Sequence, residues 1–138
     1  MSINNSRVLI GGLVAGLVIN VGEFLLNEPI LGDRWRAAFE SLGQPPMGGG
    51  SIALYVVLGF LLGIAAVYLY AAIRPRFGAG PKTAVCAGLL VWFFSYFYVN
   101  VGLLGMDLFP TNLIVTSVVW GLGEITLATV AGAALYKE

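Results

Sequence analysis

A chain of 138 residues that is 59% hydrophobic and only 10% charged is far more apolar than a soluble domain, in which about 25% of residues are charged. Its charges sum to zero, so it lacks the basic surface that nucleic acid requires and no nucleic-acid partner is expected. It has no His and a single Cys, Cys86, which removes the commonest catalytic base and metal ligand and any disulfide within the chain. No nucleophile–base pair or phosphate-binding motif is present, so we expect neither an enzyme nor a bound cofactor or metal.

Four long apolar runs account for most of the chain, over residues 8–26, 52–73, 83–104 and 112–136. Each reaches the roughly 17–25 residues that a membrane-spanning helix needs, and each is apolar on all sides. The runs predict an all-α membrane protein, with residues 1–138 forming a single four-transmembrane-helix bundle. Its first partner is therefore the lipid bilayer.

The first run carries one stripe of small and polar residues. Gly16, Asn20, Glu23 and Asn27 recur with the period of an α-helix and therefore share one face. An acidic residue facing mid-bilayer lipid costs about 2.5–3.5 kcal/mol on insertion scales. We therefore expect this face to lie against the other helices.

The connection between the first and second runs contains an amphipathic segment over residues 33–42. Its apolar positions follow helical spacing, with Asp33 before them as a start signal and Gly43 after them as a stop signal; they are Trp35, Ala38, Phe39 and Leu42. We predict a short interfacial helix with Trp35 at the depth of the lipid headgroups. An anchor is the favoured role, and a lid over an outer cavity is the alternative.

Basic residues predict how the bundle is oriented. Five of them flank one end of the predicted helices, namely Arg7, Arg74, Arg76, Lys82 and Lys137. Only Arg34 and Arg36 belong to the other end. Because basic residues are enriched on the cytoplasmic side, both termini are predicted to be cytoplasmic.

Polar residues of the third and fourth runs complete a candidate site. Tyr96 and Asn100 share a face within an aromatic cluster, and Trp120 lies one turn before Glu124. At about 1.5 Å per residue, Glu124 lies about 18 Å below the start of its run, near the depth of Asn20. The candidate ligand- or ion-binding residues are Glu23, Glu124, Asn20, Asn100, Tyr96 and Trp120.

These side chains allow three functions. The leading hypothesis is a structural or assembly subunit, in which the polar groups hold helices together with hydrogen bonds of about 0.6 kcal/mol each. The alternative is a proton- or cation-coupled transporter or channel that uses Glu124 and Glu23, because intramembrane acids are commonly functional. A lipid- or small-amphiphile-binding protein is the third possibility.

Small residues and short repeats predict how helices pair. Gly12 and Gly16, like Gly59 and Gly63, have the GxxxG spacing that allows close helix contact, and the extent of such faces predicts a homo-oligomer, a dimer. Residues 18–22 also resemble residues 98–102, and 56–59 resemble 118–121. This similarity predicts a two-plus-two parallel repeat.

Three segments are similar to those of an uncharacterised family of small bacterial four-helix integral membrane proteins. They are GDRW at residues 32–35, PRFGAG at 75–80 and ALYKE at 134–138. The resemblance implies the four-helix fold and a place in the bacterial inner membrane. It implies no activity.

Overall fold

The computed structural model describes residues 2–138, and within them it contains helices and no strand. Six α-helices are interrupted by two short π-helical segments. The α-helices are α1 (Asn5–Leu25), α2 (Gly32–Ser41), α3 (Gly49–Phe77), α4 (Pro81–Trp92), α5 (Tyr98–Met106) and α6 (Thr111–Ala133). The π-helical segments are Leu26–Ile30, which continues α1, and Phe93–Phe97, which joins α4 to α5.

Four continuous helices are long and apolar enough to cross a membrane: Asn5–Ile30, Gly49–Phe77, Pro81–Met106 and Thr111–Ala133. Large apolar side chains cover their outer surfaces, as the 63% exposure of Phe24 and the 64% exposure of Leu127 illustrate. Such a surface would be unfavourable in water and is favourable in lipid. The prediction of four long apolar helices is confirmed.

The helices pack in a ring in which α1 lies between α3 and α6, and α4 contacts both α6 and α3. Glycines allow α1 and α3 to approach closely. A Cβ atom on Gly63 would lie 2.7 Å from the carbonyl oxygen of Gly12 and 2.7 Å from the Cα of Gly16. The predicted close contact at these GxxxG sequences is therefore confirmed, and it is a contact within the chain.

The α3 helix is supported along only part of its length. Residues 49–58 are all exposed, whereas Gly59, Gly63 and four residues between 66 and 71 are buried. The side chains of the first ten residues of the helix are therefore not buried against other helices.

Three predicted helix ends are wrong. The first helix does not end at residue 26 but continues through a π-helical segment that contains Pro29, where the Leu31 N–H donates to the Leu26 carbonyl at 2.8 Å. The α3 helix does not end at residue 73 but continues past Pro75 to Phe77, because a proline in the last turn removes only one backbone hydrogen bond. The fourth helix ends at Ala133 although the apolar run continues to Tyr136.

The predicted short helix is confirmed as α2, and it packs against one end of the bundle. The Trp35 ring lies 6.0 Å from that of Phe39 and 5.5 Å from that of Phe109, measured between centroids. Asp33 does not cap the helix but pairs with Arg36 inside it. The α2 helix thus adds an aromatic layer to the bundle end at which Trp120 lies.

The opposite end joins the two terminal segments of the chain. The Asn4 N–H donates to the Tyr136 hydroxyl at 3.1 Å, and the Arg74 guanidinium lies 5.3 Å from the centre of the Tyr136 ring. Arg74 also pairs with Glu138 at 3.4 Å. These contacts place Arg74, one of the five basic residues of the predicted cytoplasmic end, beside both terminal segments.

Candidate functional site

A pair of glutamates joined by a tyrosine lies inside the bundle. The Tyr96 hydroxyl is 2.8 Å from Glu124 Oε1 and makes a second, shorter hydrogen bond with Glu23 Oε1. Glu124 is 7% exposed, and Glu23 is half-buried. The cluster therefore links α1, the Phe93–Phe97 segment and α6.

The number of hydrogen atoms in this cluster constrains its protonation. A phenol has one hydrogen and can donate it to one carboxylate, while an ionised carboxylate only accepts. The phenol hydrogen satisfies one of the two contacts of Tyr96, and a proton on one of the carboxyl groups would satisfy the other. This geometry therefore favours one proton held between Glu23 and Glu124.

The outer oxygens of both carboxyl groups are bonded as well. Asn27 Nδ2 donates to Glu23 Oε2 at 2.7 Å. Trp120 Nε1 donates to Glu124 Oε2 at 3.0 Å and lies 3.2 Å from the Gly22 carbonyl oxygen. Every carboxyl oxygen of the pair therefore has a hydrogen-bond partner within the protein.

Two glycines leave the space that the pair occupies. A Cβ atom on Gly22 would lie 2.5 Å from Glu124 Oε2, and a Cβ on Gly121 would lie 2.7 Å from Tyr96 Cε1. Small residues on α1 and α6 thus set the distance at which the polar groups meet. A separate contact holds the third long helix against α6, where Trp92 Nε1 donates to the Val118 carbonyl at 2.9 Å.

No basic side chain neutralises the pair. In the part of the chain that the structure describes, the ion pairs are those of Arg36 with Asp33 and of Arg74 with Glu138, both at bundle ends. Nor do residues 2–138 contain a group of three His, Cys, Asp or Glu side chains arranged to hold a metal ion. The partners that the structure shows for the two carboxyl groups are the side chains of Tyr96, Asn27 and Trp120.

The structure brings together four of the six predicted site residues: Glu23, Tyr96, Trp120 and Glu124. The expectation that Asn20 and Asn100 converge on them is wrong. Asn20 Nδ2 donates to the Gly16 carbonyl at 3.0 Å and to the Val56 carbonyl on α3 at 3.1 Å. Asn100 Nδ2 donates to the Tyr96 carbonyl of its own helix at 2.8 Å.

The prediction of the site missed Asn27 and Gly22. Asn27 belongs to the predicted polar stripe but lies just beyond the first predicted run, which ends at residue 26. The π-helical segment keeps it one turn from Glu23, where it reaches the carboxyl group. Gly22 had no signal beyond its small size, since its role depends on the position of Glu124 across the helix contact.

A groove of about 1020 Å³ runs between α1 and α6 on the outer surface of the bundle. Its walls are apolar, with Leu17, Val21, Leu25, Val115, Val119 and Leu127 among the side chains that line it. Glu124 and Trp120 also line it. Glu124, one of the two paired acids, therefore borders a groove on the outer, apolar face of the helices.

Comparisons with protein families, with curated proteins and with solved structures found no match to this chain. The similarity of its three short segments to small bacterial membrane proteins stays a prediction.

Proposed function

We propose that this chain is an integral membrane protein that binds and exchanges a proton at the Glu23–Glu124 pair, as the coupling site of a transporter. The observation that carries the proposal is the Tyr96 hydroxyl placed between the two carboxyl groups. The sequence alone favours a structural subunit and leaves open whether the two glutamates meet. Their shared contact with the Tyr96 hydroxyl is what supports the transporter hypothesis.

The reason lies in the chemistry of paired acids. A glutamine at either position could donate and accept hydrogen bonds without the cost of a second ionisable group in a membrane. Two adjacent carboxyl groups repel when both are charged, so a proton on one of them stabilises the pair. Acids within membrane helices commonly belong to proton pathways.

The second candidate is a structural or assembly subunit, and one observation favours it. Every carboxyl oxygen in the cluster already bonds to a group of the protein itself, so no position is left open for a ligand. In that case the cluster would only hold α1, α6 and the third helix together.

Two substitutions of Glu124 distinguish the candidates. Proton flux is measured in proteoliposomes with a pH-sensitive dye, and stability is measured from unfolding in mixed micelles. Coupled transport predicts that Glu124→Gln folds normally and loses flux, whereas the structural role predicts that Gln is nearly silent. In both cases Glu124→Leu lowers stability, because a leucine cannot accept the hydrogen bonds of Trp120 and Tyr96.

Glu28→Gln is the matched control, because Glu28 is an exposed acid on the same long helix as Glu23. This variant should retain both flux and stability. Flux that persists in Glu124→Gln at the level of Glu28→Gln would remove Glu124 from the mechanism.

We further propose that the protein lies in the bacterial inner membrane with both termini cytoplasmic, as the distribution of basic residues indicates. A homodimer remains our proposal for its assembly. Since the GxxxG faces of α1 and α3 are used within the chain, its support comes from α5, where Gly102 and Gly105 have open space beside them.

The two-plus-two repeat also remains a proposal. Asn20 and Asn100, which the repeat would pair, each donate to the carbonyl four residues earlier in the helix, and this similarity supports it. The π-helical segments do not correspond, because one follows Asn20 and the other precedes Asn100.

A further inference from the structure

We infer that the groove between α1 and α6 binds a lipophilic monovalent cation, which takes the place of the proton held by the Glu23–Glu124 pair. This inference rests on the proposed function and names the class of substrate that would be exchanged for the proton.

The lining of the groove selects for an apolar molecule. Leucine and valine side chains form its walls, and several of these are half-exposed or more, such as Leu17 at 56% and Val119 at 64%. A volume of about 1020 Å³ lies at the upper end of the range for small-molecule sites. A bulky apolar body therefore fits these walls better than a hydrated ion.

The charge of the groove selects for a cation. Glu124 is its one acidic residue, and among the described residues no Lys or Arg lines it. The Trp120 indole lines the same groove, and an aromatic face attracts a cation within about 6 Å. An anion would meet a carboxyl group with no compensating charge, and a neutral molecule would lack the charge attraction that a cation gains from the ionised acid.

The exchange balances in charge. A monovalent cation enters the groove, one proton leaves the carboxyl pair, and the net charge of the cluster is unchanged. The groups that face Glu124 are Glu23 on α1, the Tyr96 hydroxyl on the third long helix and the Trp120 indole on α6 itself. Because none of them is basic, the ionised pair is compensated only when the cation is bound.

One residue allows the groove to be filled without disturbing the fold. Gly123 lines the groove, is exposed, and would have no atom within 4 Å of an added Cβ. Gly50 on α3 is also exposed with open space beside it, and it does not line the groove. Gly123→Leu and Gly50→Leu are therefore matched variants that differ in whether the new side chain enters the groove.

The experiment measures binding of tetraphenylphosphonium to the purified protein in neutral detergent, with tetraphenylborate as an anion of similar size and shape. Calorimetry in buffers of different ionisation enthalpy counts the protons released. We expect saturable binding of the cation with release of about one proton per cation, and no saturable binding of the anion. Gly123→Leu should weaken cation binding by about tenfold or more, and Gly50→Leu should leave it unchanged.

Three outcomes would overturn the inference: no saturable binding of the cation, equal binding of the anion, or cation binding that Gly123→Leu does not weaken. Equal binding would indicate a general amphiphile site, and insensitivity to Gly123→Leu would indicate partition into the micelle. The infrared carbonyl band of a protonated carboxylic acid, recorded on the same samples, reports the proton of the pair independently. If that band is present and disappears in the Glu23→Gln, Glu124→Gln double variant while the cation fails to bind, the proton site stands and the cation site does not.

Discussion

Replacing Tyr96 by phenylalanine isolates the hydroxyl that joins the two carboxyl groups. The substitution keeps the aromatic ring against Gly121 and removes two hydrogen bonds, one to each glutamate. Interhelical hydrogen bonds in membrane proteins average about 0.6 kcal/mol, so the loss should be about 1.2 kcal/mol of unfolding free energy, a roughly eightfold change in the folding equilibrium.

The measurement is unfolding by sodium dodecyl sulfate in mixed micelles, followed by tryptophan fluorescence. Tyr98→Phe is the matched control, because Tyr98 lies two residues further along and is 70% exposed. Its hydroxyl makes no hydrogen bond within residues 2–138, so the change should stay within about 0.5 kcal/mol. If Tyr96→Phe lowers the free energy of unfolding no more than Tyr98→Phe does, the hydroxyl does not bridge the glutamates. The argument for a proton shared between Glu23 and Glu124 then fails.

The remaining predictions concern packing, orientation and assembly. Gly121→Ala should destabilise the bundle by about 1–3 kcal/mol because its Cβ would lie 2.7 Å from Tyr96 Cε1, while Gly123→Ala, which meets open space, should be neutral or mildly stabilising in the same unfolding assay. In a Cys86→Ala background, a membrane-impermeant thiol reagent added outside cells should label Ser41→Cys and not Gly78→Cys; equal labelling of both would contradict the proposed orientation. Native mass spectrometry in mild detergent should show a dimer, and Gly102→Leu should reduce it if α5 forms the contact; a monomer alone would count against the proposed assembly.

The existence and approximate extent of the four long helices could be predicted from the sequence because hydropathy and length determine them directly. Their ends could not, since an end depends on which backbone groups find partners. Pro29 and Pro75 are examples. Pro29 lies within a π-helical segment and Pro75 within the final turn of α3. The residue types around them do not predict either arrangement.

The position of a polar residue along its helix predicts its depth in the bundle. It does not predict the direction in which the side chain points. Glu23 and Glu124 were correctly placed in the interior. Asn20 lies at a similar level but points to the Val56 carbonyl on α3, next to Gly59, because the close α1–α3 contact brings that carbonyl within reach. The groove beside Glu124 also had no sequence signal, because it is a gap between two helices that are each apolar all round.

The exposed first part of α3 has a consequence for how the sequence can vary. Because the side chains of residues 49–58 are all exposed, we expect those within lipid to accept exchanges among Leu, Ile, Val and Phe at little cost. Four residues beyond Gly59 on the same helix, Gly63 should accept almost no substitution, since even a methyl group would meet α1 backbone. In a saturation library of α3, substitutions before Gly59 should therefore be widely tolerated, and substitutions at the buried positions from Gly59 onward should be largely rejected.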